Sequence, residues 1–187
     1  WIGEAEATDY YSGKTVKLLA DVTLAANSTS IADFKGTFDG AGKSISGLTE
    51  PLFAKLTGAA VKDLTLNGSI VYIGNQCGAL TCQTISTVTL ENVVNNCDIL
   101  FTQTGGNASA AGLVGFSNAK LIATDCVNNG DVAAANTERV AVDVGGIVGY
   151  VKGTGCELIA TRCVNTGKLT ASVGNDTGNA NTGILGG

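Results

Sequence analysis

Histidine is missing from the sequence altogether. Its absence removes Ser-His-Asp and Cys-His catalysis, the usual general base near neutral pH and the commonest metal ligand. Any chemistry would have to come from carboxylates, lysines, tyrosines and thiols. Aromatic residues make up only 5% and charged residues 14% of the chain, against about 25% charged in an ordinary soluble domain. The surface is therefore expected to be Asn, Thr, Ser and Gly. No basic run exists, Arg139 and Arg162 stand alone, and the net charge is −5, which argues against nucleic acid as a partner. No apolar run approaches the roughly 20 residues of a membrane span. There is no methionine and no leader ahead of Trp1, so the chain reads as a mature or excised fragment.

What is present is 26 glycines and a 44% hydrophobic content, in a length that suits one domain or one piece of an elongated array. Disordered chains combine low hydrophobicity with high net charge, and this one has neither. Residues 36–44, GTFDGAGKS, come close to a phosphate-binding loop. Counting back from Gly42-Lys43-Ser44, however, the first glycine is due at Thr37, and Gly36 is one residue early. The following SISGLTEP, with Ile45, Gly47 and Pro51, is a poor helix. The stretch reads instead as two strands joined by a corner with Asp39-Gly40 as turn chemistry.

Two sequence markers recur in phase. An apolar pair appears as Leu52-Phe53, Ala79-Leu80, Leu113-Val114, Ile147-Val148 and Ile184-Leu185. VVNNCDI (93–99), CVNNGDV (126–132) and CVNTGKL (163–169) align column by column, and LTLNGSI (64–70) fits with a residue or so of latitude. Between them lie short runs rich in Val, Ile, Leu and Thr with period-two alternation, such as VKDLTL, TVTLENV and KLIATDCV, and no sustained helical stripe. GNASAA, ANTERVAVD and GNDTGNAN vary in length and read as loops. A unit this short cannot bury its apolar face alone and must stack on its neighbours. The prediction is an all-β, parallel β-solenoid, a single elongated domain with coils about 4.8 Å apart. The expected columns are Val93–Cys126–Cys163, Asn95–Asn128–Asn165 and Cys82–Phe116–Tyr150, the second tied by amide-to-amide hydrogen bonds.

GGIVGY with RCVNTGKL, and AGLVGF with DCVNNGDV, resemble the GLUG-motif repeats of bacterial surface and adhesin-like proteins, roughly "GGIVGY … NCYNTGNV". KTVKLLADVTLA and FKGTFDGAGKSISGLTEPLFAKLTGAAVKDLTLNG resemble the stretch that often precedes such repeats. The resemblance runs from about Lys14 to Gly187 and implies a right-handed parallel β-helix in a large, exported, often anchored protein. It departs from the pattern at CGALTC and at Val127 and Val164. Residues 1–50 are read as N-terminal opening coils or a cap, and 51–187 as GLUG-like repeat coils expected to continue beyond the fragment.

The six cysteines, Cys77, Cys82, Cys97, Cys126, Cys156 and Cys163, include no Cys-x-x-Cys, which argues against zinc. Cys126 and Cys163 share a column whose spacing allows a bridge, but stacked inward cysteines read better as small buried thiols. Asp63, Glu91, Asp125 and Arg162 fall near corresponding positions of successive coils and read as solvated surface, with Asp125 and Arg162 as an exposed ion pair. Asn27, Asn67, Asn107 and Asn175 head Asn-x-Ser/Thr triplets and mark polar loops. Trp1, Tyr10, Tyr11, Tyr72 and Tyr150 could stack on sugars but are scattered. The Thr columns are too partial for an ice- or mineral-binding face. The expectation is a non-catalytic structural or adhesive module of an exported, cell-surface bacterial protein, binding glycans or surface proteins along a lateral face or acting as a spacer. No catalytic, cofactor-binding or metal-ligating residues are assigned. The alternative is a polysaccharide lyase or hydrolase of the β-helix type.

Overall fold

The computed structural model describes residues 11–103, 105–137, 141–174 and 180–183. Among them there is no helix, and the chain winds through stacked parallel sheets. The opening coil holds β1 (Thr15–Lys17) and β2 (Val22–Thr23), and β3 (Thr37–Leu48) lies on both. Next come β4 (Phe53–Thr57), β5 (Ala60–Ile73) and β6 (Gln76–Gly78), followed by β7 (Thr81–Ile85), β8 (Val88–Asn95), β9 (Asp98–Gln103) and β10 (Ala108–Ala111). Two further coils hold β11 (Val114–Ser117), β12 (Leu121–Thr124), β13 (Val127–Asn128), β14 (Val132–Asn136) and β15 (Val142–Gly145), then β16 (Val148–Val151), β17 (Leu158–Thr161), β18 (Val164–Asn165), β19 (Leu169–Val173) and β20 (Ala180–Gly183). Each strand pairs in parallel with its counterparts one coil away, as in the ladders β4-β7-β11-β16 and β6-β10-β15-β20. This is the expected parallel β-solenoid.

The register confirms the Asn95–Asn128–Asn165 column and places Val93, Cys126 and Cys163 in one file. It corrects the apolar marker at one coil. Val114 pairs with Thr81, and Thr81 with Phe53, so Leu80 rather than Ala79 aligns with Leu113 and Leu52. Phe116 therefore stands over Gln83, not Cys82, while its pairing with Tyr150 holds. The cause lies in CGALTC, where Cys82 occupies the position that Gly115 and Gly149 fill in the later coils. GNASAA also differs from expectation: its last four residues are β10, all buried, in a ladder of their own. Small side chains fit the crowded lumen there, and packing overrides alanine's weak strand preference. The last apolar pair, Ile184-Leu185, with Arg139 and Asn175, lies outside the described residues.

The core runs up the axis as files of like residues. Phe34, Phe38 and Phe53 cluster near the N-terminal end with ring centroids 5.2–6.0 Å apart. A separate file, running through Ile45 and Leu66, becomes polar further on. Asn95 Nδ2 donates to Asn128 Oδ1 at 2.7 Å, and Asn128 Nδ2 donates to Asn165 Oδ1 at 2.7 Å. Each amide also donates to the carbonyl two residues on, of Cys97, Gly130 and Gly167 respectively, at 3.0, 2.9 and 2.8 Å. Asn95 and Asn128 are fully buried, so these bonds replace hydration that burial removes. Beside this file backbone meets backbone: a β-carbon on Gly130 would lie 1.9 Å from the Cys97 carbonyl oxygen, and one on Gly167 would lie 1.9 Å from that of Gly130. Asn-x-Gly thus joins amide and bare backbone at Asn128 and Asn165, whereas after Asn95 the same column is filled by Cys97, which stands over Gly68.

All six cysteines are free and five are buried. Burial pushes the Cys97 and Cys126 thiols up to about 12 from the ordinary 9.0, and Cys77 is raised for the same reason. The folded chain binds these protons more tightly than the unfolded one, so their stabilisation is full below pH 9.0 and lost as pH climbs towards about 12. Alkaline unfolding is expected in that window, with thiolate absorbance rising together with the loss of the far-ultraviolet sheet signal. Thiolate appearing first in a folded chain would contradict it. At neutral pH a thiol reagent should label half-buried Cys156 quickly and the others only after denaturation.

Candidate functional site

A solenoid offers long lateral faces rather than a central pocket, so the outward residues of each ladder define what a partner could meet. On the ladder of β5, β9, β14 and β19, Ile70 and Tyr72, Ile99 and Phe101, and Val132 and Ala134 point inward. The alternate positions form two outward files, Val71–Leu100–Ala133–Thr170 and Ile73–Thr102–Ala135–Ser172. Val71, Ile73 and Leu100 are 67%, 74% and 53% exposed. Contiguous apolar side chains on a flat sheet are unfavourably hydrated. Its border is the file Ser69–Asp98–Asp131–Lys168, where Asp98 and Asp131 each accept a backbone N–H from the next coil at 2.9 and 2.7 Å. The patch is therefore apolar at the earlier coils, hydroxylated at the later ones and acidic along one edge.

The ladder of β4, β7, β11 and β16 carries the outward file Lys55–Gln83–Phe116–Tyr150. The Phe116 and Tyr150 rings lie 5.9 Å apart at 40°, both half-buried. Lys55 Nζ pairs with Asp33 at 3.0 Å. Of the scattered set, Tyr11 and Tyr72 do not join Tyr150. Tyr11 is buried against Phe34, and Tyr72 points inward, its ring 6.4 Å from Phe101 and its hydroxyl pushed up to about 12 by burial and by Cys82. Trp1 and Tyr10 lie outside the described residues.

The carboxylates gather at a corner with unusual backbone. Ala41, Asp63, Asn92, Asp125 and Arg162 share the left-handed region, with φ of 51–54°, one per coil. Asn and Asp tolerate this conformation because their short side chains bond locally. Asn92 Nδ2 donates to Asp63 Oδ1 at 2.9 Å, and Arg162 forks onto Asp125 at 2.5 and 2.6 Å. That fork holds the Asp125 carboxyl below its ordinary value and raises the Arg162 guanidinium. Glu91 falls one column away, opposite Lys62, whose own neighbour Asp39 lies between Lys62 and Lys17 at 3.6 and 3.9 Å. The four residues singled out in the sequence are thus three of one file and one of the next. Both oxygens of Asp125 are engaged by Arg162, and the geometry is that of coil-to-coil ties. Among the described residues no cluster of three or more Cys, Asp or Glu is placed to hold a metal ion.

Two features had no clear sequence signal. SIVYI is apolar at both parities, so alternation alone could not tell which side faced water. The other is a cavity of about 450 Å³ at the N-terminal end, between the opening coil and β3, walled by Leu18, Val22, Ile31, Phe38 and Leu48, with Ser30 and Glu50 among its polar lining.

Residues 4–96 match the sequence model of the family described as M26 IgA1-specific Metallo-endopeptidase N-terminal region, a stretch just under half the chain. It runs from before the described residues to Asn96, one residue past β8, and the AGLVGF…DCVNNGDV and GGIVGY…RCVNTGKL repeats follow it. No curated protein matches the chain.

Proposed function

We propose that this chain is a non-catalytic structural and adhesive β-helix module of an exported, cell-surface bacterial protein. It belongs, on this reading, to the GLUG-like repeat arrays, with the outer face of β5, β9, β14 and β19 as the binding surface for a protein or a glycan. The observation that carries the proposal is the contiguous exposure of Val71, Ile73 and Leu100 on a flat parallel sheet. The family match supports it in a specific way: the matched model is described as the N-terminal region of a metallo-endopeptidase, and these 187 residues contain no histidine with which to build a His-Glu-x-x-His zinc site. The chain would then position or present, and any peptide-bond chemistry would reside in another part of a longer protein. A lyase or hydrolase needs carboxylates and a cation turned towards one sugar, whereas Asp125 and Arg162 are turned towards each other.

A screen of the purified chain against a glycan array and a panel of extracellular-matrix proteins tests this reading. Saturable binding to at least one target is expected, and the double substitution Val71→Asp with Ile73→Asp should weaken it at least tenfold without changing the melting temperature. Binding to nothing would leave a passive spacer, and turnover of a pectin or a host glycan would establish the enzyme instead.

A further inference from the structure

One circuit of this solenoid cuts a corner. Leu48 is paired with Gly68, and Phe53 with Thr81. Between these matched points the upper circuit spends residues 69–80 on the end of β5 and all of β6, whereas the lower one has only Thr49, Glu50, Pro51 and Leu52. The lower chain therefore crosses directly instead of following the perimeter. From Ser69 to Ile73, β5 has β9 on one side and no strand on the other. The gap lies inside the continuous stretch 11–103. Elsewhere the same level is covered, β3 by β1 and β2, and β4 by Ile31 and Phe34.

In a parallel ladder, alternate residues turn both N–H and C=O to the same neighbour. Gly74 N donates to Thr102 O at 3.3 Å, so Ile70, Tyr72 and Gly74 serve β9. Val71 and Ile73 then turn their N–H and C=O to the vacated side, where nothing among the described residues bonds to them. Sheet edges are ordinarily blunted by a charge, a proline or a bulge. The stretch Ser69–Ile73, SIVYI, has none of the three.

The side chains along this edge set the character of what fits. Val71 and Ile73 face outward and are exposed. Between them Tyr72 points inward, half-buried, with Phe101 against its ring from the coil above. Burial, the Cys82 and Cys77 thiols and the Glu50 carboxylate together push the Tyr72 hydroxyl up to about 12, which places all three side chains around it. Ser30 donates to Glu50 at 3.4 and 3.5 Å, and among the described residues no Lys or Arg pairs with that carboxylate. We infer that the uncovered edge of β5 is a binding site for an extended peptide, taken up as an added strand. Val71 and Ile73 supply its main-chain bonds, and the peptide side chains beside them are apolar. The residue opposite Tyr72 is a lysine or arginine, held between the ring and the Glu50 carboxylate. This site is made of backbone and does not depend on the outer face of β9, β14 and β19 binding anything.

The test is a titration of the 187-residue chain into the fluorescein-labelled peptide Ser-Thr-Val-Lys-Val-Thr-Ser, followed by anisotropy under reducing conditions. Saturable one-to-one binding is expected. Two N-methylated peptides, one altered at the lysine and one at both valines, delete the donors of a parallel and of an antiparallel strand respectively. One of the two should bind at least tenfold more weakly. Val71→Pro in the chain removes an edge donor but no bond to β9, and should give the same loss at an unchanged melting temperature. Glu50→Gln should weaken binding of the lysine peptide and spare its norleucine counterpart. The proposal is overturned by absence of binding, by equal binding of all three peptides, by indifference to Val71→Pro, or by equal effects of Glu50→Gln on the lysine and norleucine peptides. A concentration-dependent dimer abolished by Val71→Pro would overturn it too, since the edge would then belong to a second copy. The N-methylated peptides act on the unaltered chain, so the test survives a Val71→Pro variant that fails to fold. An empty glycan and matrix-protein screen would remove the outer-face reading alone.

Discussion

Replacing Gly130 with alanine is expected to cost about 3 kcal/mol, near the upper end for forcing an extra methyl into a packed interior. In a chain of this length that corresponds to a fall in melting temperature of about 6–12 °C. The argument is positional. The new β-carbon would lie 1.9 Å from the Cys97 carbonyl oxygen, an atom of the preceding coil's backbone that no rotamer change can move aside. Relief requires two coils to separate locally, which stretches the flanking ladder bonds from Asn129 N to Asn95 O, at 2.8 Å, and from Ile99 N to Asp131 O, at 2.8 Å. Gly42 is the control. Its φ is +72° and nothing lies within 4 Å of an added β-carbon, so Gly42→Ala carries only the left-handed penalty of about 1–2 kcal/mol. If Gly130→Ala melts no lower than Gly42→Ala, the coil-to-coil contact at Gly130 is not what limits the substitution.

The second large effect belongs to Asn128. Asn128→Leu keeps the volume but deletes the middle amide of the inner file, removing the bonds to Asn95, Asn165 and Gly130 together. Asn95 then holds a buried N–H with no acceptor, and the Gly130 carbonyl loses its side-chain donor. Stranding buried polar groups costs about 1–3 kcal/mol each, so a loss of about 2–4 kcal/mol is expected. Asn129, the next residue, makes equally good amide bonds to Asn96 and Thr166, at 2.9 and 2.8 Å, but in water. Asn129→Ala should cost about 0.5 kcal/mol, as for an ordinary surface change. Denaturant unfolding of both variants decides the matter, and similar losses would mean that burial is not what gives the inner file its weight.

How far the fold could be read ahead of the structure depended on whether a residue had one physical role or two. Asn95, Asn128 and Asn165 had one, because an asparagine recurring in phase within apolar runs must find a partner, and stacking supplies it. Cys126 and Cys163 followed by the same logic. At CGALTC the sequence leaves the register open by one residue, since Ala79 and Leu80 both pass for the marker and Cys82 stands where a glycine would settle it. GNASAA looked like a loop because alanine and serine carry little strand preference, and only the narrow lumen that selects small side chains makes it a strand. Spacing alone groups Glu91 with Asp63 and Asp125, because it does not reveal the left-handed corner residue Asn92 that takes that place in the Glu91 coil. The lateral patch was the least legible. Val71 and Ile73 are indistinguishable in kind from Ile70 and Tyr72, and which side meets water is decided by the next coil rather than by the residue itself.

Hydrogen-bonded neighbours along the outer Asn–Thr tie lie 21, 29, 33 and 37 positions apart in sequence, so the circuits lengthen towards the C-terminal end. Traction applied to the two chain ends would unspool such a body one circuit at a time, each release freeing slack before the next circuit feels the load. A circuit of 33 residues drawn straight yields about 110 Å. A tether built this way would lengthen under shear in discrete steps instead of snapping, and it would give up its longest slack first from the end where the circuits are widest.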